Sequence, residues 1–484
     1  MTATISLSLV SHTNAGKTTL ARTLLARDIG EVRDEAHVTE SAESHLLIES
    51  PAGDRLLLWD TPGFGDSLRL ARRLEQQGNP IGWFLSEVWD RWRDRALWSS
   101  QRALRHVLGQ SDAVLYLVNA SEAPEDAGYL DAELRVLALI GKPVIALLNQ
   151  LGPAGDAEAD DSQTNRWRTR LAAAPGVQGV LPLDAFTRCW VQEGVLWRAL
   201  ALALPAAQQP AFARLQAAWQ ARQEAIWHSA MAELARRIAR AALDVEAVQS
   251  EGWRGPLRKI GSGLGKALGL KGDASDSAQQ RAMAALAERL DDDVRQSTDT
   301  LIALHGLDGR AGSEVLAKLA RHYATRNPLD EGRAAIWGGV LTGALAGLKA
   351  DIASGGLTLG GGLLAGGVLG ALAAAGAARG VNLVRGLDRP QVAWDASVLD
   401  ALLASALLGY LAVAHHGRGR GAWVDAAPPA RWTAAVQAAL DARRKEIDAV
   451  WQQRSTPELQ GLLESGCADV LMRLYPNTGV ALQM

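Results

Sequence analysis

Apolar and polar positions along the N-terminal part of the chain alternate between short buried-looking runs and longer stretches of helical spacing. Residues 4–10 (TISLSLV) read as a strand, followed by a polar turn and a helix opening near Lys17. Residues 44–60 read as a hairpin, SHLLIES and RLLLWD around a PAGD turn. Residues 113–119 (AVLYLVN) and 143–149 (PVIALLN) are unbroken apolar runs with polar flanks, the pattern of strands covered on both faces of a mostly parallel sheet. GVLPLD, residues 179–184, is a weaker last strand. Helical patterns fall between these runs, so the expected fold for residues 1–205 is a doubly wound α/β domain. No basic segment precedes the first apolar run, which favours a buried strand there over a signal peptide.

Beyond Pro205 the spacing turns helical. The expected division is 206–330, a helical region with a basic segment at 253–272; 331–386, a glycine-rich hydrophobic helical hairpin; and 387–484, a second helical region. The whole region is expected to be all-α. At 484 residues the chain is too long for one core, and its 48% hydrophobic and 21% charged content is that of a folded protein. A net charge of −3 excludes a generally basic nucleic-acid binder. Cys189 and Cys467 lie far apart, with no ligand spacing, so a disulfide scaffold or zinc site is not expected and a reducing cytoplasm fits.

Residues 11–18, SHTNAGKT, fit a phosphate-binding loop except that Ser11 stands at the first glycine. Such a loop wraps a polyphosphate in backbone N–H groups at a helix N-terminus. Lys17 would face the outer phosphates and the Thr18 hydroxyl would ligate Mg2+. Thr13, Asn14, Ala15, Gly16 and Thr19 complete the candidate nucleotide contacts. The second element is Trp59-Asp60-Thr61-Pro62-Gly63 at the end of an apolar strand. Asp60 can hold Mg2+ through a water, and the Gly63 N–H can sense a terminal phosphate. Alone, this stretch is also a plain turn.

Together with SDAVLYLVNAS, these motifs resemble the Era/TrmE branch of bacterial P-loop GTPases over about residues 1–190. More narrowly, the layout resembles a poorly characterised bacterial family of GTPase-like proteins with a long helical, glycine-rich C-terminal region. The resemblance implies GTP/GDP and Mg2+ as ligands, with Thr39 of HVTES as second Mg2+ ligand, unless Thr39 is a surface helix cap. It implies that Asn14 helps hold K+. It sets Phe64 where a water-orienting glutamine stands in other GTPases, and a phenyl ring cannot orient water, so slow hydrolysis is expected. The guanine-reading pattern should be Asn-Lys-x-Asp, and the chain has Asn149-Gln150-Leu151-Gly152. Asn149 is retained, but the bidentate acceptor that rejects adenine is missing, so base specificity stays open. Asp184-Ala185-Phe186 either forms the last loop near the base or a simple strand-end turn.

Three further segments bear on partners. The insert at 81–106 interleaves Trp83, Trp89, Trp92 and Trp98 with Arg91, Arg93 and Arg95; it is either a docking surface for a protein partner or an amphipathic helix packed on its own domain. Gly339, Gly343 and Gly347, and again Gly362, Gly366 and Gly370, fall four apart, and residues 353–378 carry no charge. That pattern suits a hairpin in a bilayer or a close-packed soluble one. Arg254, Arg258, Lys259, Lys266 and Lys271 would favour anionic membrane lipid, or form a solvated loop. The expected location is therefore the cytoplasm, at or in the inner membrane. Residues 400–420 hold an apolar run too short for a span, and a core helix is expected there.

Overall fold

A computed structural model describes residues 2–13, 15–27, 29, 43–75, 82, 95–151, 157–186, 189–247, 278–307, 381–384, 391–394, 396–417 and 430–476. These form two compact units. Among the described residues, the first runs to Ala225 and includes His415–Gly417; the second runs from Ile226 to Ala414 and from residue 430 to Pro476.

The first unit is a six-stranded sheet with helices on both faces. Its elements are β1 (Thr4–Ser11), α1 (Lys17–Leu25), β2 (Glu43–Glu49), β3 (Arg55–Asp60), α2 (Ser67–Glu75), α3 (Arg95–Gln110), β4 (Ala113–Asn119), α4 (Leu130–Ile140), β5 (Val144–Asn149), α5 (Ala157–Ala172), β6 (Val177–Pro182) and α6 (Trp190–Ala203). The strand order is β2-β3-β1-β4-β5-β6, parallel except for β2, which pairs antiparallel with β3. The chain leaves β1 for β3 on one side and later returns to β4 on the other. That reversal opens a crevice at the C-terminal end of β1, where ligands bind in such sheets.

The apolar runs are explained by burial on both faces. Along β4, Ala113, Leu115 and Leu117 pack with β1, α1 and α6, while Val114, Tyr116 and Val118 pack with α2, α3, α4 and α5. Each fully buried Leu or Val contributes about 1.5–3 kcal/mol. The described half of the tryptophan-rich insert, α3, takes the second of the two forms open to it: Leu97, Ala103, Leu104 and Val107 lie in the domain's own core. Trp98 stays partly exposed with the Arg102 guanidinium 5.0 Å above its ring. Trp83, Trp89 and Trp92 lie outside the described residues, as do segments 253–272 and 331–380.

The next helix, α7 (Gln209–Leu243), begins in the first unit and is tied to the β2–β3 turn by an ion pair. Arg214 donates to both oxygens of the fully buried Asp54, at 2.7 and 3.0 Å, and the Ala3 amide donates to the same carboxylate at 3.0 Å.

The second unit contains the rest of α7, β7 (Val245–Ala247), α8 (Ala278–Leu304), β8 (Val381–Val384), β9 (Gln391–Trp394), α9 (Ala396–Ala414), α10 (Ala430–Ala442), α11 (Arg444–Gln453) and α12 (Thr456–Leu474). α9 is the expected core helix, buried from Ala401 through Leu411. Its Asp400 is held by Arg444, at 2.6 and 3.2 Å, and by the Trp451 indole at 2.8 Å. The all-α expectation is corrected: β7, β9 and β8 form an antiparallel three-stranded sheet. Strands of three or four residues carry too little alternation to be seen in sequence, and β7 reaches β9 only across a long stretch of chain, Val245 pairing with Ala393. Among the described residues, no helix is long and apolar enough to cross a membrane.

The Arg214 hydrogen bonds, with the Ala3 amide, hold the Asp54 carboxyl well below its usual range. A carboxyl held low in the folded chain binds fewer protons than in the unfolded chain. Its stabilisation is therefore complete above the unfolded value, about 4, and is lost as pH falls toward the folded value. Arg214→Ala should melt below wild type at pH 7, with the gap closing as pH drops under about 4. A gap independent of pH in thermal melts would show that charge at Asp54 is not its source.

Candidate functional site

The loop between β1 and α1 is built around one left-handed residue. Gly16 caps α1 at φ +88°, and a Cβ there would fall 2.7 Å from Asn149 Nδ2, so both conformation and space require glycine. The following turn buries Lys17, whose Nζ donates to Ser11 Oγ at 3.0 Å. Ser11, standing at the usual glycine, thus serves as an acceptor inside the loop. Burial pushes the Lys17 ammonium below its ordinary value, while the charges of Asp60 and Glu133 push it back up. A buried cation with so few direct partners among the described residues favours an anionic ligand.

β1 and β3 pair in parallel register, with Leu9 beside Asp60, which brings the second motif to the loop. The Thr18 hydroxyl donates to Asp60 Oδ2 at 2.5 Å. Burial raises the Asp60 carboxyl, opposed by the Thr18 hydrogen bond and the Lys17 charge. Asp60 Oδ1 is buried and has no hydrogen-bond partner among the described residues. Two hard oxygen donors in contact, one carboxylate oxygen orphaned, suit Mg2+ completed by phosphate and water. No cluster of three His, Cys, Asp or Glu side chains occurs among the described residues, so those residues offer no all-protein cage.

Gly63 lies against the loop: a Cβ would come within 3.0 Å of Lys17 Nζ and 3.1 Å of Thr13 Cα. The next residue is stitched on, with Phe64 N–H donating to Ser11 O at 3.0 Å and Thr13 Oγ1 donating to Phe64 O at 2.9 Å. The Phe64 ring is wholly buried among Leu70, Leu74, Leu97 and Leu104, an anchor in the core instead of a group over the ligand.

Asn149 is buried and its amide is used at both ends. Nδ2 donates to Ala15 O and Oδ1 accepts from Ala185 N–H, each at 2.8 Å. Gln150 follows at φ +57°, and Asp184 accepts from Leu151 N–H at 2.9 Å and Phe186 N–H at 2.8 Å. Residues 183–186 therefore join residues 149–151 beside the phosphate loop. Gly417 N–H donates to Phe186 O at 3.1 Å, adding residue 417 to this loop cluster. Thr19 is buried in the first turn of α1, its carbonyl accepting from Thr23 Oγ1. Asn14, Thr39 and Gly152 lie outside the described residues.

Sequence reasoning missed Glu133, whose buried carboxylate accepts from His12, Ser67 and Tyr116. The available signal was an acid on the apolar face of α4 that also carries Leu130, Leu134 and Leu137.

Asn149→Ala would leave the Ala15 carbonyl and Ala185 amide buried and unpaired. Urea denaturation should show a loss of about 3 kcal/mol. A loss under about 1 kcal/mol would mean the loops do not depend on this bridge.

Residues 6–150 match the family described as 50S ribosome-binding GTPase, and residues 170–466 match the family described as Domain of unknown function (DUF3482). A variant of Aquifex aeolicus Era bound to GDP.AlF4- is similar over 42% of this chain and 57% of that chain, at 19% identity and TM-score 0.31. Era in complex with MgGDPNP and part of 16S ribosomal RNA is similar over 42% and 58%, at 17% identity and TM-score 0.31. A probable GTP-binding protein engB is similar over 37% and 88%, at 15% identity and TM-score 0.23. The chain thus spans little more than half the length of the two Era chains. No curated protein matches it. The N-terminal domain is a P-loop GTPase-like nucleotide-binding domain followed by a helical region, and the chain as a whole belongs to the DUF3482 family.

Proposed function

We propose that the protein is a nucleotide-dependent switch that binds guanine nucleotide with Mg2+ and hydrolyses GTP slowly. The observation that carries this reading is the meeting of Lys17, the Thr18–Asp60 pair and Gly63 around one turn. Mg2+ would be held by Thr18 and, through water, Asp60, with Thr39 as the further ligand. When bound, the metal neutralises phosphate charge. Lys17 binds the outer phosphates and Gly63 senses the terminal one. Loss of that phosphate removes an attraction at Gly63 and frees the segment after it.

Slow turnover is supported by Phe64. With its ring in the core, this position presents no side chain to orient water. Hydrolysis would then draw on backbone groups, a partner, or K+ near Asn14. An adenine-binding or non-catalytic module is the second reading. It is favoured by Gly152 in place of the carboxylate that would pair with guanine.

The helical half is proposed to act at a membrane surface. Its support is sequence alone: the basic segment 253–272 and the glycine-spaced, uncharged stretch near 353–378. Within the insert at 81–106, whose described apolar face is used by its own domain, partly exposed Trp98 with Arg102 over it is the proposed contact for a protein partner.

Affinities for GTP, GDP, ATP and ADP, measured on wild type and Lys17→Ala, test the core of the reading. Wild type should prefer the guanine pair, and the variant should bind roughly ten to a hundred times more weakly. Preference for ATP would establish the second reading. Fast phosphate release, equal in sodium and potassium, would contradict slow intrinsic turnover. Failure to float with anionic liposomes would remove the membrane role.

A further inference from the structure

Glu133 lies one turn into α4 and is fully buried. Three donors converge on its carboxylate. His12 Nδ1 at 2.8 Å and Ser67 Oγ at 2.5 Å reach Oε1, and the Tyr116 hydroxyl reaches Oε2 at 2.7 Å. Burying a carboxylate is costly unless its oxygens are satisfied, and here each oxygen is engaged. The origin of the donors is informative. His12 belongs to the phosphate loop, and its ring also stacks on Tyr129 with centroids 4.3 Å apart. Ser67 is the first residue of α2 and is itself buried. It closes the turn that begins at Asp60 and carries Gly63.

The segment from Phe64 to Ser67, directly after Gly63, is therefore held at both ends. Phe64 is hydrogen-bonded to Ser11 and Thr13, and Ser67 is bonded to the same carboxylate oxygen that holds His12. Gly63 immediately precedes the first of these anchors and lies against the Lys17 ammonium, where a terminal phosphate would meet both.

We propose that Glu133 is a positioning residue that latches the start of α2 to the phosphate loop and holds Gly63 ready for the terminal phosphate. The inference rests on the switch reading above and adds a regulator to it. A latch of this kind favours one state of the switch, so it strengthens triphosphate binding without strengthening diphosphate binding. The Tyr116 bond reaches the other oxygen from β4 and touches neither loop. It supports the carboxylate without forming part of the latch.

The test compares GDP with the non-hydrolysable analogue GDPNP on the full chain, repeated with the adenine pair. Ser67→Ala should bind the diphosphate within about twofold of wild type and lose about tenfold in preference for the triphosphate analogue. Ser67→Thr, which keeps a hydroxyl, should restore most of that preference. Glu133→Gln, of the same shape, should move the preference in the same direction as Ser67→Ala. Tyr116→Phe should lower the melting temperature and leave the preference within about twofold. Equal shifts from Ser67→Ala and Tyr116→Phe, or no shift from Ser67→Ala, would overturn the latch while leaving nucleotide binding intact. A wild-type protein that binds none of the nucleotides would overturn the switch and the latch together.

Discussion

The first unit depends on a buried ammonium. Lys17 is taken out of water at the end of β1, and desolvation there works against its charge. Asp60 and Glu133 oppose that loss from separate elements, and Ser11 Oγ accepts a hydrogen bond from the ammonium. A cation held this way, with a left-handed glycine before it and helix amides after it, makes an anion the favourable occupant of the turn. The Asp60 carboxylate has the mirror problem: burial raises it, and one oxygen has no partner among the described residues. Phosphate and a divalent cation together would answer both.

Such a site needs rigid support, and hydrogen bonds to backbone supply it. Asn149 joins the phosphate loop to residue 185, Asp184 joins residues 151 and 186, and Thr13 holds the carbonyl of Phe64. Phe64 adds an apolar anchor beneath Gly63. Parts proposed to recognise ligand are thus separated from parts that hold them. Lys17, Thr18, Asp60 and Gly63 are the proposed ligand contacts, while Asn149, Asp184, Glu133 and Phe64 hold the surrounding loops.

The second unit is organised around a different constraint. α9 is apolar on nearly all sides, so it must be surrounded. Asp400, near its start, is held by Arg444 and Trp451. Its core and its small sheet are tertiary features of this unit.

The sequence by itself determined the six strands of the first unit, the phosphate loop and the position of the Asp60–Gly63 turn. Each rests on local signals: a two-residue alternation or unbroken apolar run, a glycine at a forced conformation, a lysine at a helix start. It also marked α9 as a core helix by its apolar run. Tertiary structure alone decided that Phe64 points into the core, that both ends of Asn149 are engaged by backbone, and that β7, β8 and β9 form a sheet in a region that reads as helical. It alone brought His12 to Glu133 across 121 residues and Asp54 to Arg214 across 160. Side-chain type and spacing are local properties of a chain, whereas these partnerships follow from strand order and register, which bring distant residues together only when the sheet closes.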